Sequence, residues 1–369
     1  MLDNKKKCCG CLTCINIYSC DAISIITNRE GFKNTKVNNE VCVSCGKCSE
    51  VCPVVTPRGY NKELPKLKGA YAKSSKIREI SSSGGIFYLL GKYFLKKGGV
   101  VFGAAWNGEN KLVHQRITQI KDLDKLCGSK YVQSDMESTY HFAKNDLEKG
   151  KLVYFSGTPC QVKTLKLFLG RNYDNLFTQD FICHGVPSPE VLNKYIDEVL
   201  NGGNVNRIFF RSKEKGWSNY SFEIIGKENT YHSVFSEDPF FHAFLDDYSL
   251  RPSCYECPCK GIFRESDITL ADYWGGETVQ KKLFDNKGIS LIFLNSNMGT
   301  QIFEEIEGDI IFENAPIVES LACNPSAWKS PTLKKEHFIF FDNYKKMKIK
   351  DLVEIIEEER IPCDFVEFD

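Results

Sequence analysis

Between residues 69 and 202 the chain alternates short apolar runs with stretches in which apolar residues return every third or fourth position. This is the pattern of strands feeding helices. Val100-Val101-Phe102-Gly103-Ala104-Ala105-Trp106 and Leu152-Val153-Tyr154-Phe155-Ser156 are short apolar runs, as expected of strands buried on both faces of a parallel sheet, and Leu176 to Cys183 reads as a further strand. Ala70-Tyr71-Ala72 reads as a shorter strand. Ile86, Leu89, Leu90, Tyr93 and Phe94 recur at helical spacing, a helical stretch runs from about Glu137 to Lys149, and Val162, Leu165, Leu167, Phe168 and Leu169 follow another turn. Ser188 stands as N-cap and Pro189 as first residue of a helix reaching about Leu200. The turns Gly157-Thr158-Pro159-Cys160-Gln161 and His184-Gly185-Val186-Pro187 each join a strand to a helix, which puts Cys160 and Cys183 on one rim. That rim is the carboxyl edge where α/β proteins bind ligands.

Beyond Gly202-Gly203 the pattern changes. Ile208-Phe209-Phe210-Arg211 and Ser221-Phe222-Glu223-Ile224-Ile225 read as antiparallel strands around a basic loop at 213–217, and Asp267 to Gly275 and Ile289 to Leu294 as further strands. Asp351 to Arg360 reads as a charged amphipathic helix. The expected fold class is α+β / α/β and multidomain: an α/β region over 69–202 and a mixed C-terminal domain over 203–369. A polar linker, Arg58 to about Lys68, precedes them.

Residues 1–57 lack this periodicity and carry the chemistry. Cys42-Val43-Ser44-Cys45-Gly46-Lys47-Cys48-Ser49-Glu50-Val51-Cys52-Pro53 is the run that wraps a 4Fe-4S cubane, its fourth cysteine serving a neighbouring cluster. Upstream, Cys8-Cys9-Gly10-Cys11-Leu12-Thr13-Cys14 repeats the half-motif and Cys20 follows, with five intervening residues instead of three. The assignment is crossed: Cys8, Cys11, Cys14 and Cys52 on one cluster, Cys42, Cys45, Cys48 and Cys20 on the other, with Cys9 a spare thiol able to displace Cys8. Structural zinc is the competing use of paired Cys-x2-Cys elements, but two such runs oversupply it. A module this small is expected to be held together by its clusters.

Seventeen cysteines in 369 residues, with no apolar leader after Met1, point to a reducing cytoplasm and to metal rather than disulfides. The formal charge of zero gives no electrostatic case for nucleic acid, and no apolar run approaches the length of a membrane span. Two further features draw notice. Ser81-Ser82-Ser83-Gly84-Gly85 opens a helix, either as an anion cradle or as a plain N-cap with Ser83 as the capping residue. Cys254 and Cys257 form a Cys-x2-Cys pair without partners nearby, so Cys160, Cys183, Cys254 and Cys257 are expected to share a third cluster, with Cys259 as substitute.

Taken together, Ser81 to Gly85, Gly128-Ser129-Lys130-Tyr131, Gly157 to Gln161, Cys183 to Ser188 and Asp267-Ile268-Thr269-Leu270-Ala271-Asp272-Tyr273-Trp274-Gly275 resemble, in order, the coenzyme F-420 hydrogenase/dehydrogenase β-subunit family of iron-sulfur flavoproteins. The resemblance covers the whole chain, in the bacterial layout with an N-terminal two-cluster ferredoxin domain. It implies FAD as well as clusters, although no Gly-x-Gly-x-x-Gly fingerprint is present. It implies an oxidoreductase that carries electrons through clusters to FAD and acts on a small organic substrate or a deazaflavin coenzyme, with a redox partner such as ferredoxin. Members with this layout are often found among genes for surface polysaccharides. Ser82, Ser83, Gly84 and Gly85 would hold the pyrophosphate, with Lys130, Thr158 and Gln161 near the ring. His184 would supply a proton or tune a cluster by hydrogen bonding. The alternative is a non-catalytic subunit that passes electrons to another enzyme.

Overall fold

The computed structural model describes residues 5–17, 22–57, 59, 63–108 and 110–359. Thirteen strands are seen among them: β1 (Ile23–Thr27), β2 (Lys33–Val37), β3 (Lys66–Ala72), β4 (Val100–Trp106), β5 (Leu112–Ile117), β6 (Val153–Ser156), β7 (Leu176–Phe181), β8 (Val205–Ser212), β9 (Ser221–Gly226), β10 (Thr230–Val234), β11 (Ile268–Asp272), β12 (Ser290–Leu294) and β13 (Ile310–Asn314). Eight form one mixed sheet in the order β13-β3-β12-β11-β7-β6-β4-β5. Its centre is parallel, β4 to β6 to β7 to β11, and antiparallel strands close it on both sides.

The centre is parallel because its strands alternate apolar residues on both faces. Val101, Ala105, Tyr154, Phe177 and Ile292 pack beneath the helix Ile86–Lys96. Phe102, Phe155 and Leu176 pack on the other side with Tyr140, Leu165 and Phe168 of the helices Thr139–Glu148 and Pro159–Leu169. Each apolar run therefore makes two cores, and the result is a three-layer α/β/α unit.

The division expected at Gly202-Gly203 does not hold. β11, β12 and β13 come from beyond it yet complete the sheet, and β3 begins at Lys66, inside the stretch read as linker. The helix Pro189–Leu200 leaves the sheet instead of covering it. Tyr195 stacks with Phe222 and Phe240 in a second core built on the antiparallel meander β8-β9-β10 and the helices Pro239–Leu245, Lys335–Asn343 and Ile349–Glu358. The aromatic face of β8 and β9 is the better partner for its apolar stripe, so this helix follows its contacts and not its place in the chain.

Nor do cysteines alone hold the first 57 residues. The β1–β2 hairpin puts Phe32, wholly buried, into that second core, edge-on to Phe341 at 6.2 Å. Ser188 Oγ, which makes no cap bond, donates to the Glu30 carbonyl at 2.5 Å. Lys163 Nζ reaches the Thr56 carbonyl at 2.9 Å, and Lys33 pairs with the buried carboxylate of Asp135. Burial of one aromatic side chain is a large part of a small module's stability.

Candidate functional site

A cavity of about 480 Å³ opens at the carboxyl edge of β6, β7 and β11, roofed by Cys9, Pro53 and Val54 of the N-terminal module. The turn after β6 is fixed by a reciprocal cap: Thr158 Oγ1 accepts from the Gln161 amide at 3.3 Å, Gln161 Oε1 from the Thr158 amide at 2.9 Å, with Pro159 in the first turn. Cys160 is thereby aimed at the cavity, its sulfur 3.0 Å from Thr158 Oγ1. Cys183 follows β7, its carbonyl held by Lys260 Nζ. Cys254 closes the short turn Pro252–Cys254, its amide bound to the Arg251 carbonyl at 2.9 Å, and Cys257 and Cys259 complete the wall.

These thiols lie close enough to perturb one another. Burial drives Cys183 up and Cys254 to about 12, and the neighbouring Cys160 and Cys257 add to both rises. Cys257 is held down by the hydrogen bond from Cys259. Cations surround the group: Lys260 beside Cys183, Arg251 beside Cys254, Lys260 and Arg264 beside Cys257, Lys163 beside Cys259. Arg264 is 2% exposed, and its buried Nε has no hydrogen-bond partner. Buried thiols cannot ionise together without compensating positive charge. A soft all-sulfur donor set ringed by cations suits an anionic iron-sulfur cluster.

A second group forms in the module. Cys8, Cys11, Cys14 and Cys52 perturb one another, and burial raises Cys14 to about 12. Cys11 is instead held down, by hydrogen bonds from Cys9 and from Thr13 Oγ1 at 3.3 Å. Cys42 and Cys45 sit on a surface loop, Cys45 exposed, and Cys48 on the short helix Lys47–Glu50 that follows; Cys20 lies outside the described residues. Cys9 is hydrogen-bonded to Cys11 on one side and to Cys160 on the other, so it spans the two groups. Among the described residues no three His, Cys, Asp or Glu side chains gather as for one metal ion; a cubane needs thiolates set apart at its corners.

Of the residues expected at a flavin, Ser82, Ser83, Gly85, Lys130, Thr158 and Gln161 line the cavity, together with His184. Gly84 does not: its amide donates to Ser290 Oγ at 3.0 Å, and a Cβ there would stand 2.4 Å from the Ala70 carbonyl. The loop is pressed against β3 and β12, which is why a residue without a side chain is needed. Gly85, at φ +87°, occupies the N-cap position, so Ser83 is not the cap. Ser83 Oγ donates to the Ile289 carbonyl at 2.8 Å, and Ser82 Oγ accepts from the Ser129 amide. What faces the cavity is the first turn of the helix Ile86–Lys96, whose leading amides have no intrahelical acceptor. Lys130 turns its ammonium to the carbonyls of Leu126, Cys127 and Gly128 at 3.1, 2.7 and 3.0 Å, and burial lowers it to about 8.

Two histidines went unassigned or half-assigned in the sequence. His114, on β5, is buried, its ring bonded to Ser134 Oγ at 2.8 Å and the Ser156 carbonyl at 2.9 Å, and burial lowers it to about 4. A carbonyl accepts only, so Nε2 carries the proton and Nδ1 takes the Ser134 hydroxyl proton, while Gln161 Nε2 donates to Ser134 Oγ at 2.9 Å. His184 Nε2 stands 2.8 Å from the Asp247 carboxylate, its ring edge-on to Phe244. Tyr131, Tyr220 and Trp274 form an aromatic wall, and Trp274 stacks on Trp217 at 4.9 Å. Arg251, Arg264, Lys260 and Asp247 were invisible as site residues; the one signal was the basic residues flanking the cysteine loop.

Residues 150–320 match the sequence model for the carboxyl terminus of the beta subunit of coenzyme F420 hydrogenase/dehydrogenase, and residues 35–57 that of the 4Fe-4S binding domain. The chain is similar to the F subunit of F(420)H(2) dehydrogenase from Methanosarcina mazei, 23% identical over 73% of this chain and 72% of that protein. A 50-residue stretch is 42% identical to the IorA subunit of indolepyruvate oxidoreductase from Pyrococcus horikoshii, covering 14% of this chain and 7% of that one. Among solved structures, a chain of the F420-reducing [NiFe] hydrogenase complex from Methanosarcina barkeri aligns with a TM-score of 0.48 and 16% identity, over 82% of this chain and 94% of the other. No described helix is long and apolar enough to cross a membrane.

Proposed function

Because the chain belongs to the coenzyme F-420 hydrogenase/dehydrogenase β-subunit family and carries a 4Fe-4S domain ahead of it, we propose that it is an FAD-dependent iron-sulfur oxidoreductase with three clusters. Electrons would enter at the exposed Cys42, Cys45 and Cys48 loop, with Cys20 as fourth ligand, from a redox partner such as ferredoxin. They would pass the buried set Cys8, Cys11, Cys14 and Cys52 and reach Cys160, Cys183, Cys254 and Cys257 beside the cavity. Clusters carry single electrons, and flavin supplies the conversion to the pair that an organic substrate or deazaflavin-type coenzyme takes up. The reaction would belong to small-molecule metabolism, surface polysaccharides included.

The observation that carries this reading is the convergence of two separate thiol sets on Cys9, one of them in the wall of the cavity. The cavity falls within the size of cofactor and ligand sites. Its donors fit a flavin in kind: free amides at a helix start for phosphate, and an aromatic wall for a planar ring. The Thr158 and Gln161 box holds the rim rigid. His184, oriented by Asp247, is the group able to hand a proton to a bound substrate.

Iron, acid-labile sulfide and flavin measured on anaerobically purified protein test the reading. About twelve irons and one FAD are expected. Eight irons with FAD would remove the third cluster, and iron without flavin would leave the second reading, an electron-transfer subunit. That reading draws on the M. mazei relative, itself named as one component of a larger dehydrogenase.

A further inference from the structure

The two buried thiol sets meet at one residue that is not a cysteine. Arg251 is 2% exposed. Its backbone belongs to the cavity side: its amide donates to the Val186 carbonyl at 2.9 Å, next to the Cys183 turn, and its carbonyl accepts from the Cys254 amide at 2.9 Å. Its side chain belongs to the module side. Nη1 donates to the Cys8 carbonyl at 2.8 Å and to Asn34 Oδ1 at 2.9 Å, and Nη2 to the Lys33 carbonyl at 2.8 Å. Nε donates to Gln133 Oε1 at 2.9 Å, and Gln133 Nε2 in turn holds the Cys9 carbonyl at 2.8 Å. The guanidinium lies 4.7 Å over the Phe32 ring, and Gly10 passes so close that a Cβ there would stand 2.4 Å from Nη2.

None of these acceptors is a carboxylate, so the charge is not cancelled by its own partners. It lies beside both thiol sets, bonded through its side chain to the Cys8 carbonyl in one and through its own carbonyl to the Cys254 amide in the other. The geometry points to Arg251 as the joint between the two inner clusters: a positioning residue whose fork fixes their separation and whose single buried charge raises the reduction potential of both. This rests on the three-cluster reading above. A fixed, water-excluded cation favours the more negative, reduced state of any cluster near it, and a planar fork with four bonds in place cannot be replaced by a lysine without losing geometry.

The test is an EPR-monitored redox titration of the anaerobically purified full chain, wild type against Arg251→Met and Arg251→Lys, with iron counted in each sample. Expected for Arg251→Met is full iron, a tenfold or larger loss in the equilibrium constant for reduction of two clusters, about 60 mV in each midpoint, and no change in the third, exposed one. Arg251→Lys keeps both midpoints, since it keeps the charge, but weakens the magnetic coupling between the two reduced clusters, since it loses the fork. Unmoved midpoints at full iron in Arg251→Met would overturn the proposal, as would a shift confined to one cluster. If Arg251→Met does not accumulate, lowered midpoints in Arg251→Lys would overturn it alone. Eight irons in the wild type would instead sink the three-cluster reading itself.

Discussion

Cys52→Ala distinguishes the crossed ligand assignment from the simple one in which each run of cysteines binds its own cluster. Cys52 follows the exposed run in sequence, yet its thiol lies with Cys11, Cys8 and Cys14, and of its thiol neighbours Cys11 acts on it more strongly than Cys48. Loss of this one thiol should therefore cost the buried cluster of the first run, about four irons out of twelve. The partner is identified by a double-mutant cycle. Cys52→Ala combined with Cys11→Ala should lose the same four irons as either alone, because both ligands serve one cluster. Cys52→Ala combined with Cys45→Ala should lose about eight. The assay is iron and sulfide per chain on anaerobic protein, with circular dichroism as a control for folding. The reverse pattern, eight irons lost with Cys11 and four with Cys45, would refute the crossed assignment and with it the inward order of clusters.

Three other outcomes follow from the packing. Phe32→Ala should destabilise docking of the first 57 residues by about 3–5 kcal/mol, the cost of emptying a fully buried aromatic site; limited proteolysis should then cut this module first. His114 is neutral when folded, lowered to about 4 from 6.5, so its contribution is present above pH 6.5 and is lost as pH falls towards 4. The stability gap between wild type and His114→Gln should narrow by about 2 kcal/mol from pH 7.5 to 5 in urea titrations, and a constant gap would refute the buried neutral assignment. Gly84→Ala should lower stability by about 1–3 kcal/mol through overpacking against the Ala70 carbonyl and release flavin, read by melting and absorbance.

The parallel centre of the sheet was legible because Val100–Trp106 and Val153–Ser156 are apolar on both faces and the turn after each central strand leads into a helix; β7 itself buries Thr178, Gln179 and Asp180. β5 was not, since Leu112–Ile117 carries His114, Gln115 and Arg116 on an edge strand whose polar groups are each matched by a partner from elsewhere, Arg116 by Asp146 at 2.5 Å. The first three residues of β3 read as linker because Lys66 and Lys68 look solvated; Lys68 Nζ in fact reaches Asn314 Oδ1 at 2.7 Å across to β13. Of the cysteines that line the cavity, Cys254 and Cys257 stood out by their Cys-x2-Cys spacing, and Cys160 and Cys183 by their place at the ends of strands. Arg251 and Asp247 did not, because their roles come from chain segments far away in sequence, Cys8 and Gln133 for the one and His184 for the other.

β3 lies between β12 and β13, so the first strand of the large sheet is an interior strand whose neighbours are made last. About 220 residues separate Ala72 from Ser290. At ordinary rates of synthesis the ribosome takes roughly 10–45 s to bridge that interval. Throughout it β3 has neither of its neighbours, while Cys8 to Cys52 have already emerged. Assembly factors delivering iron and sulfide thus have a window to load the N-terminal thiols before the body closes over them. The cavity thiols have a much shorter window, because Cys257 emerges only about thirty residues before β12 begins at Ser290. On the three-cluster reading, the strand order would let the outer clusters be loaded first and the innermost last.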